Sequence, residues 1–98
     1  MSVQMINNGS EVVIGVSGKF DFSVHKDFRE AYRFHQPTGR YVVDFTRVER
    51  IDSAALGMLL LLRDHAGGVS ADIIIRNCQP QIQKILEVAN FHKLFQIH

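Results

Sequence analysis

Cysteine occurs once among the 98 residues, at Cys78, so no internal disulfide can form, and the chain reads as a protein of a reducing cytoplasm. An excess of one charge is also missing. Eleven Lys and Arg stand against ten Asp and Glu, which leaves no electrostatic footprint for nucleic acid and no polybasic run for an anionic membrane. The longest apolar run, Ala54 to Leu62, is about half of a membrane span, so no membrane insertion is expected. The opening lacks a charged segment followed by an apolar core, and no secretory signal is read there. No internal repeat, low-complexity tract or Pro/Ser-rich linker interrupts the chain, which is expected to form one domain over residues 1–98.

Several chemistries lack their sequence patterns. The five histidines (His25, His35, His65, His92, His98) show neither H-E-x-x-H nor Cys/His ligand spacing, so no metal site is expected. Gly67-Gly68 is not a phosphate loop, and Ser53 lacks the G-x-S-x-G setting of a hydrolase. A Ser-Asp-His triad with a distant histidine stays geometrically open, though no spacing favours it. The chain is expected to need no cofactor and to be no enzyme.

What is present is an alternation of strands and helices. Val3-Gln4-Met5-Ile6 reads as an edge strand, Asn7-Asn8-Gly9-Ser10 as a turn, and Glu11 to Ser17 as the hairpin partner. The chain then passes through Gly18 to Ser23, where Ser23 is the expected N-cap of a helix running to about His35, with Asp21 read either as a cap there or as part of a docking rim. Val24, Phe28 and Ala31, with Tyr32 or His35, form its core stripe, and Gln36-Pro37-Thr38-Gly39 ends it. Arg40 to Phe45 reads as a strand covered on both faces, followed by a short polar loop. A helix opens on Asp52-Ser53 and stops at Gly67-Gly68; Ala71 to Ile75 is a further buried strand. Pro80 suits the first turn of a third helix with Ile82, Ile85, Leu86 and Ala89 inward, Asn90 suits its end, and Leu94 to Ile97 closes the chain as a strand. The order implies an α/β fold: a mixed sheet of four to five strands with about three helices packed on it.

Asp52 and Ser53 are both favoured N-caps and can serve only to start their helix. The helix itself argues for more. Ala54, Ala55, Leu56, Met58 and Leu59 to Leu62 leave no polar face in its first two turns, and such a helix is either fully buried or carries an exposed apolar patch. Full burial is hard to arrange in so small a chain, so a partner surface beginning at Ser53 is expected. The preceding arginines, Arg47 and Arg50, are read as solvated loop charge in preference to groups that steer a phosphate. Cys78 is read as a small loop residue.

The stretch Val43-Asp44-Phe45-Thr46-Arg47-Val48-Glu49-Arg50-Ile51-Asp52-Ser53-Ala54-Ala55-Leu56-Gly57 resembles the STAS family, the anti-sigma factor antagonists and their relatives. Gly18-Lys19-Phe20-Asp21 is similar to the family's early Gly-x-φ-Asp segment, and Pro80, Ile82, Ile85-Leu86 and Phe91 follow its last helix. The resemblance implies that Ser53 is the serine phosphorylated by an anti-sigma factor with serine-kinase activity, and that a serine phosphatase resets it. ATP and Mg²⁺ then belong to the kinase, and the chain is a monomer or weak dimer. Partner binding is assigned to Asp21, Phe22, Ser23, Asp52, Ala54, Ala55, Leu56, Gly57 and Met58. Many members carry Ser-Gly where this chain has Ala54-Ala55, which removes a second candidate hydroxyl. The family also contains members that are not phosphorylated, and the alternative is an accessory subunit of a larger assembly such as a lipid-transport ATPase.

Overall fold

A computed structural model describes residues 3–33 and 39–98. Five strands lie side by side in chain order: β1 (Val3–Asn7), β2 (Glu11–Phe20), β3 (Arg40–Ile51), β4 (Asp72–Arg76) and β5 (Gln96–Ile97). β1 and β2 are antiparallel, and every later pairing is parallel. Three α-helices make the parallel crossovers: α1 (His25–Tyr32), α2 (Ser53–His65) and α3 (Pro80–Val88). Right-handed crossovers that always step to the next strand put all three helices on one face. That face supplies Ile14, Val16, Tyr41, Val43, Ile73 and Ile75 to one core cluster, closed by Phe28, Leu59, Leu62, Ile82 and Leu86 from the helices. No described helix covers the other face, the bare face of the sheet.

The strand before Ser53 is longer than its sequence suggests. β3 continues through Thr46-Arg47-Val48-Glu49-Arg50 to Ile51, where a polar loop is expected. Two register shifts against β2 explain the discrepancy: Gly15 pairs Asp44 but Ser17 pairs Arg47, and Gly18 pairs Val48 but Lys19 pairs Arg50. Each shift adds one residue to β3, breaks the two-residue period that marks a strand, and still returns Val48 to the core. β2 likewise runs on to Phe20, through a segment read as connection.

Three other expectations are corrected. Ser23 is not the cap of α1: Asp21 caps a 3-10 turn over Phe22–Val24, and α1 follows from Val24 without a side-chain cap. In α3 only Ile82 and Leu86 are buried; Ile85 is 43% exposed and Ala89 is exposed. At about 100° per residue, Ile85 falls on the shoulder of the stripe that Ile82 and Leu86 define, and Ala89 lies past the helix end. The closing strand is reduced to Gln96–Ile97, preceded by a 3-10 turn over Phe91–Lys93. The expected end of α1 at His35 and its stop at Gln36-Pro37-Thr38 lie outside the described residues.

Candidate functional site at the start of the second helix

β2 and β3 end together, with Phe20 opposite Ile51, so Asp21 and Asp52 leave the sheet side by side. Open α/β sheets place functional loops at the carboxyl ends of their parallel strands, which is this edge. Asp52 has extended backbone (φ −124°, ψ −175°), and its Oδ1 accepts the Ala55 N–H at 3.0 Å. Ser53 is therefore the first helical residue and not the cap. It is exposed, and no hydrogen bond ties its hydroxyl to a described residue.

The burial pattern of α2 resolves its apolar run into two faces. Ala55, Met58, Leu59 and Leu62 recur at three- and four-residue spacing and point into the core. Ala55 and Met58 were expected in the partner surface, but Ala55 is 0% and Met58 7% exposed, so both side chains pack chiefly into the core. The outward face starts at Ser53 and continues through Gly57, Leu60 and Leu61, with Ala54 and Leu56 half-buried beside it. Leu61 is 60% exposed and Leu60 39%. Sequence reasoning stopped at Met58 and missed both leucines. Four, seven and eight residues beyond Ser53 form one helix face, but in a helix apolar on all sides nothing in the sequence marks which face turns outward. Gly57 also belongs to this face. A Cβ built there meets nothing within 4 Å, so the fold does not need glycine at this helical position.

Asp21 stands at the neighbouring strand end. Its Oδ1 accepts both the Ser23 N–H, at 3.0 Å, and the Ser23 hydroxyl. The hydroxyl bond, then the N–H, hold the carboxyl below its ordinary pKa, and the nearby Lys19 and Arg50 charges add to this. Phe22, 64% exposed, stacks on the His25 ring with centroids 4.1 Å apart. A shallow cavity of about 260 Å³ joins the two loops and is lined by Lys19, Asp21, Arg50, Ile51 and Asp52. The structure thus separates the two arginines of the central motif. Both are on strand β3 and not in a loop; Arg50 faces the Asp21–Asp52 cavity, and Arg47 lines a different groove with Ser17, Asp44 and Thr46.

Cys78 is half-buried, and burial pushes its thiol up to about 11, so the nucleophilic thiolate is scarce at neutral pH. No described helix is long and apolar enough to cross a membrane.

Comparison with known proteins bears on the family and the fold. The family model described as "Mlab, STAS domain" matches residues 3–96. A STAS-domain containing protein of Pseudomonas aeruginosa (strain UCBPP-PA14) is 53% identical over 91 residues, covering 92% of this chain and 90% of that protein. The fold is similar to the anti-sigma factor antagonist SpoIIAA in its unphosphorylated form (TM-score 0.72, 20% identity, 98% of this chain and 86% of that one). The phosphorylated form of the Bacillus cell fate determinant SpoIIAA gives a TM-score of 0.68 at 19% identity, over 98% of this chain and 90% of that one. A sulfate transporter family protein from Wolinella succinogenes has the same fold (TM-score 0.74, 12% identity, 93% of this chain and 80% of that one). At these identities the solved structures speak for the fold alone. The family model and the Pseudomonas relative go further: this chain belongs to the STAS-domain family.

Proposed function

We propose that this protein is a phosphorylation-switched anti-sigma factor antagonist, acting in the cytoplasm by binding and not by turnover. Unphosphorylated, it holds an anti-sigma factor with serine-kinase activity against the outward face of α2. Ser53, Ala54, Leu56 and Gly57 make the contact, Leu60 and Leu61 extend it, and Asp21, Phe22, Ser23 and Asp52 form the rim. The observation that carries this reading is the exposed, untied Ser53 hydroxyl at the head of an exposed apolar face.

The partner kinase, with its own ATP and Mg²⁺, transfers the γ-phosphoryl group to Ser53 Oγ and releases ADP and the hydroxyl proton. The helix N-terminus tolerates the new charge, because its N–H groups carry partial positive charge. A dry interface does not. Phosphate adds about −1.5 to −2 charges. An unpaired charge in an interface costs roughly 2–5 kcal/mol, which lowers affinity about thirtyfold to a few thousandfold. A serine phosphatase then restores the hydroxyl. Gly57 supports the same surface: a glycine inside a helix costs about 0.5–1 kcal/mol relative to alanine, and this one leaves open space where a partner can approach closely.

The test is a binding measurement with Ser53→Ala and Ser53→Glu side by side against the anti-sigma factor. Alanine should bind permanently and glutamate weakly; equal binding by Ser53→Glu and wild type rules the switch out. A second reading, a constitutive accessory subunit of a larger assembly such as a lipid-transport ATPase, draws support from the likeness to a sulfate transporter family protein. Intact-mass measurement of the protein from cells separates the two, since only the switch acquires one phosphate at Ser53.

A further inference from the structure

The bare face of the sheet carries a pattern of its own. One row of register partners crosses all five strands: Ile6 beside Val13, Val13 beside Val42, Val42 beside Ile74, and Ile74 beside Gln96. Ile6 is 64% exposed, Val13 and Ile74 are half-buried, and Val42 is covered by its neighbours. Two residues below this row Arg40 lies beside Asp72, and two residues above it Asp44 lies beside Arg76. Both pairs are ionic, Arg40 Nε to Asp72 Oδ2 at 3.1 Å and Arg76 Nη2 to Asp44 Oδ2 at 3.3 Å. The four charges therefore form a square with opposite signs at adjacent corners and an apolar row through its middle.

Such a square is complementary to itself. Turned over about a two-fold axis that lies along the apolar row, it sets Arg40 of one copy on Asp44 of the other, and Asp72 on Arg76. The same contacts repeat in the reverse direction; Glu11, beside Arg40 in the same row, falls on Gly15 of the other copy, so no like charges face each other directly. We propose that two copies of this chain associate through the bare face, sheet on sheet, about that axis.

Charge names the occupant. A partner surface of one sign meets repulsion at two of the four corners, whereas a second copy meets none. The axis also brings Ile6, the most exposed apolar residue of the row, against its own copy and superposes the two sheets over their full width. A two-fold axis along the strands between β3 and β4 matches the charges equally well but leaves β1 and Ile6 uncovered. Cross-strand ion pairs by themselves are ordinary sheet stabilisers, and exposed ones contribute little. The self-complementary arrangement about an apolar row is the feature that a monomer does not use. Five strands at about 4.8 Å and five residues at about 3.3 Å give roughly 400 Å² per copy, about half of a standard interface. The association is therefore weak and rapidly reversible. Because the bare face and α2 lie on opposite sides of the sheet, the dimer is independent of the Ser53 switch, and either reading can fail alone.

Sedimentation velocity of the full chain, from about 10 μM to about 1 mM, tests it in the range expected for a small interface. The sedimentation coefficient should rise with concentration at low salt, and association should weaken several-fold at about 0.5 M salt. Ile6→Lys, at an exposed position, should leave the melting temperature unchanged and weaken association at least tenfold. Asp72→Arg and Arg76→Asp should each weaken association as much, with a lower melting temperature because each breaks an ion pair within its own sheet, and mixing these two variants should restore association, because the introduced arginine then faces the introduced aspartate. A wild-type chain monomeric throughout, association untouched by Ile6→Lys, or charge variants that fail to recover on mixing overturns the proposal.

Discussion

Two neighbouring parallel strands, β2 and β3, each end in an aspartate with extended backbone, and each aspartate is followed closely by a serine. At the end of β2 the serine is two residues on, so one Asp21 oxygen reaches both the N–H and the hydroxyl of Ser23. At the end of β3 the serine is adjacent. Asp52 reaches past it to the Ala55 N–H, and Ser53 is left exposed with an untied hydroxyl. The residue types are the same and the outcomes are opposite. One serine is absorbed into its own turn and one is presented to solvent, and a spacing difference of a single residue decides which.

The contrast can be broken at either end. Ser53→Glu should have the largest effect, a loss of anti-sigma factor affinity of about thirtyfold or more, whereas Ser23→Ala should change that affinity less than about threefold. Titration calorimetry on the two variants in parallel distinguishes them. Asp52→Ala should destabilise the fold by about 0.5–2 kcal/mol in denaturant unfolding, while Asp52→Asn, which keeps an acceptor, should be nearly silent. Gly57→Ala should act in two directions at once. It should stabilise the helix by about 0.5–1 kcal/mol and yet weaken partner binding, since the added methyl points outward into open space. A variant improved on both counts would show that no partner approaches there.

The smallest effect is one of pH. The folded-state pKa of Asp21 is depressed, chiefly by the Ser23 hydroxyl. Its contribution is fully present above the ordinary carboxylate range and is lost as the pH falls through the folded value. Asp21→Asn should therefore flatten the acid limb of a melting-temperature profile and leave the neutral region nearly unchanged.

Much of this was legible in the sequence, and the exceptions have physical causes. The strand-helix alternation, the positive-φ Asn90 and the start of α3 at Pro80 follow from local rules. Asp21 and Ser53 reach one end of the sheet because parallel strands deliver their loops to the same edge. The length of β3 was hidden, since bulges cancel the alternation that marks a strand. The inner face of α2 was hidden too, because a helix apolar on all sides has no periodic contrast; only packing shows that Met58 turns in and Leu61 out. The pairing of Asp21 with Ser23, and not with the start of α1, depends on a 3-10 turn that no pattern of capping residues announced.

β3 outlasts its neighbour on one side. It pairs with β4 only from Arg40 to Asp44, and from there to Ile51 its only strand partner among the described residues is β2. The segment that delivers Ser53 is thus a two-stranded arm cantilevered from a five-stranded body, with both irregularities of register inside the arm. A change in the twist of that arm re-aims the hydroxyl without disturbing the pairing of the three strands below it.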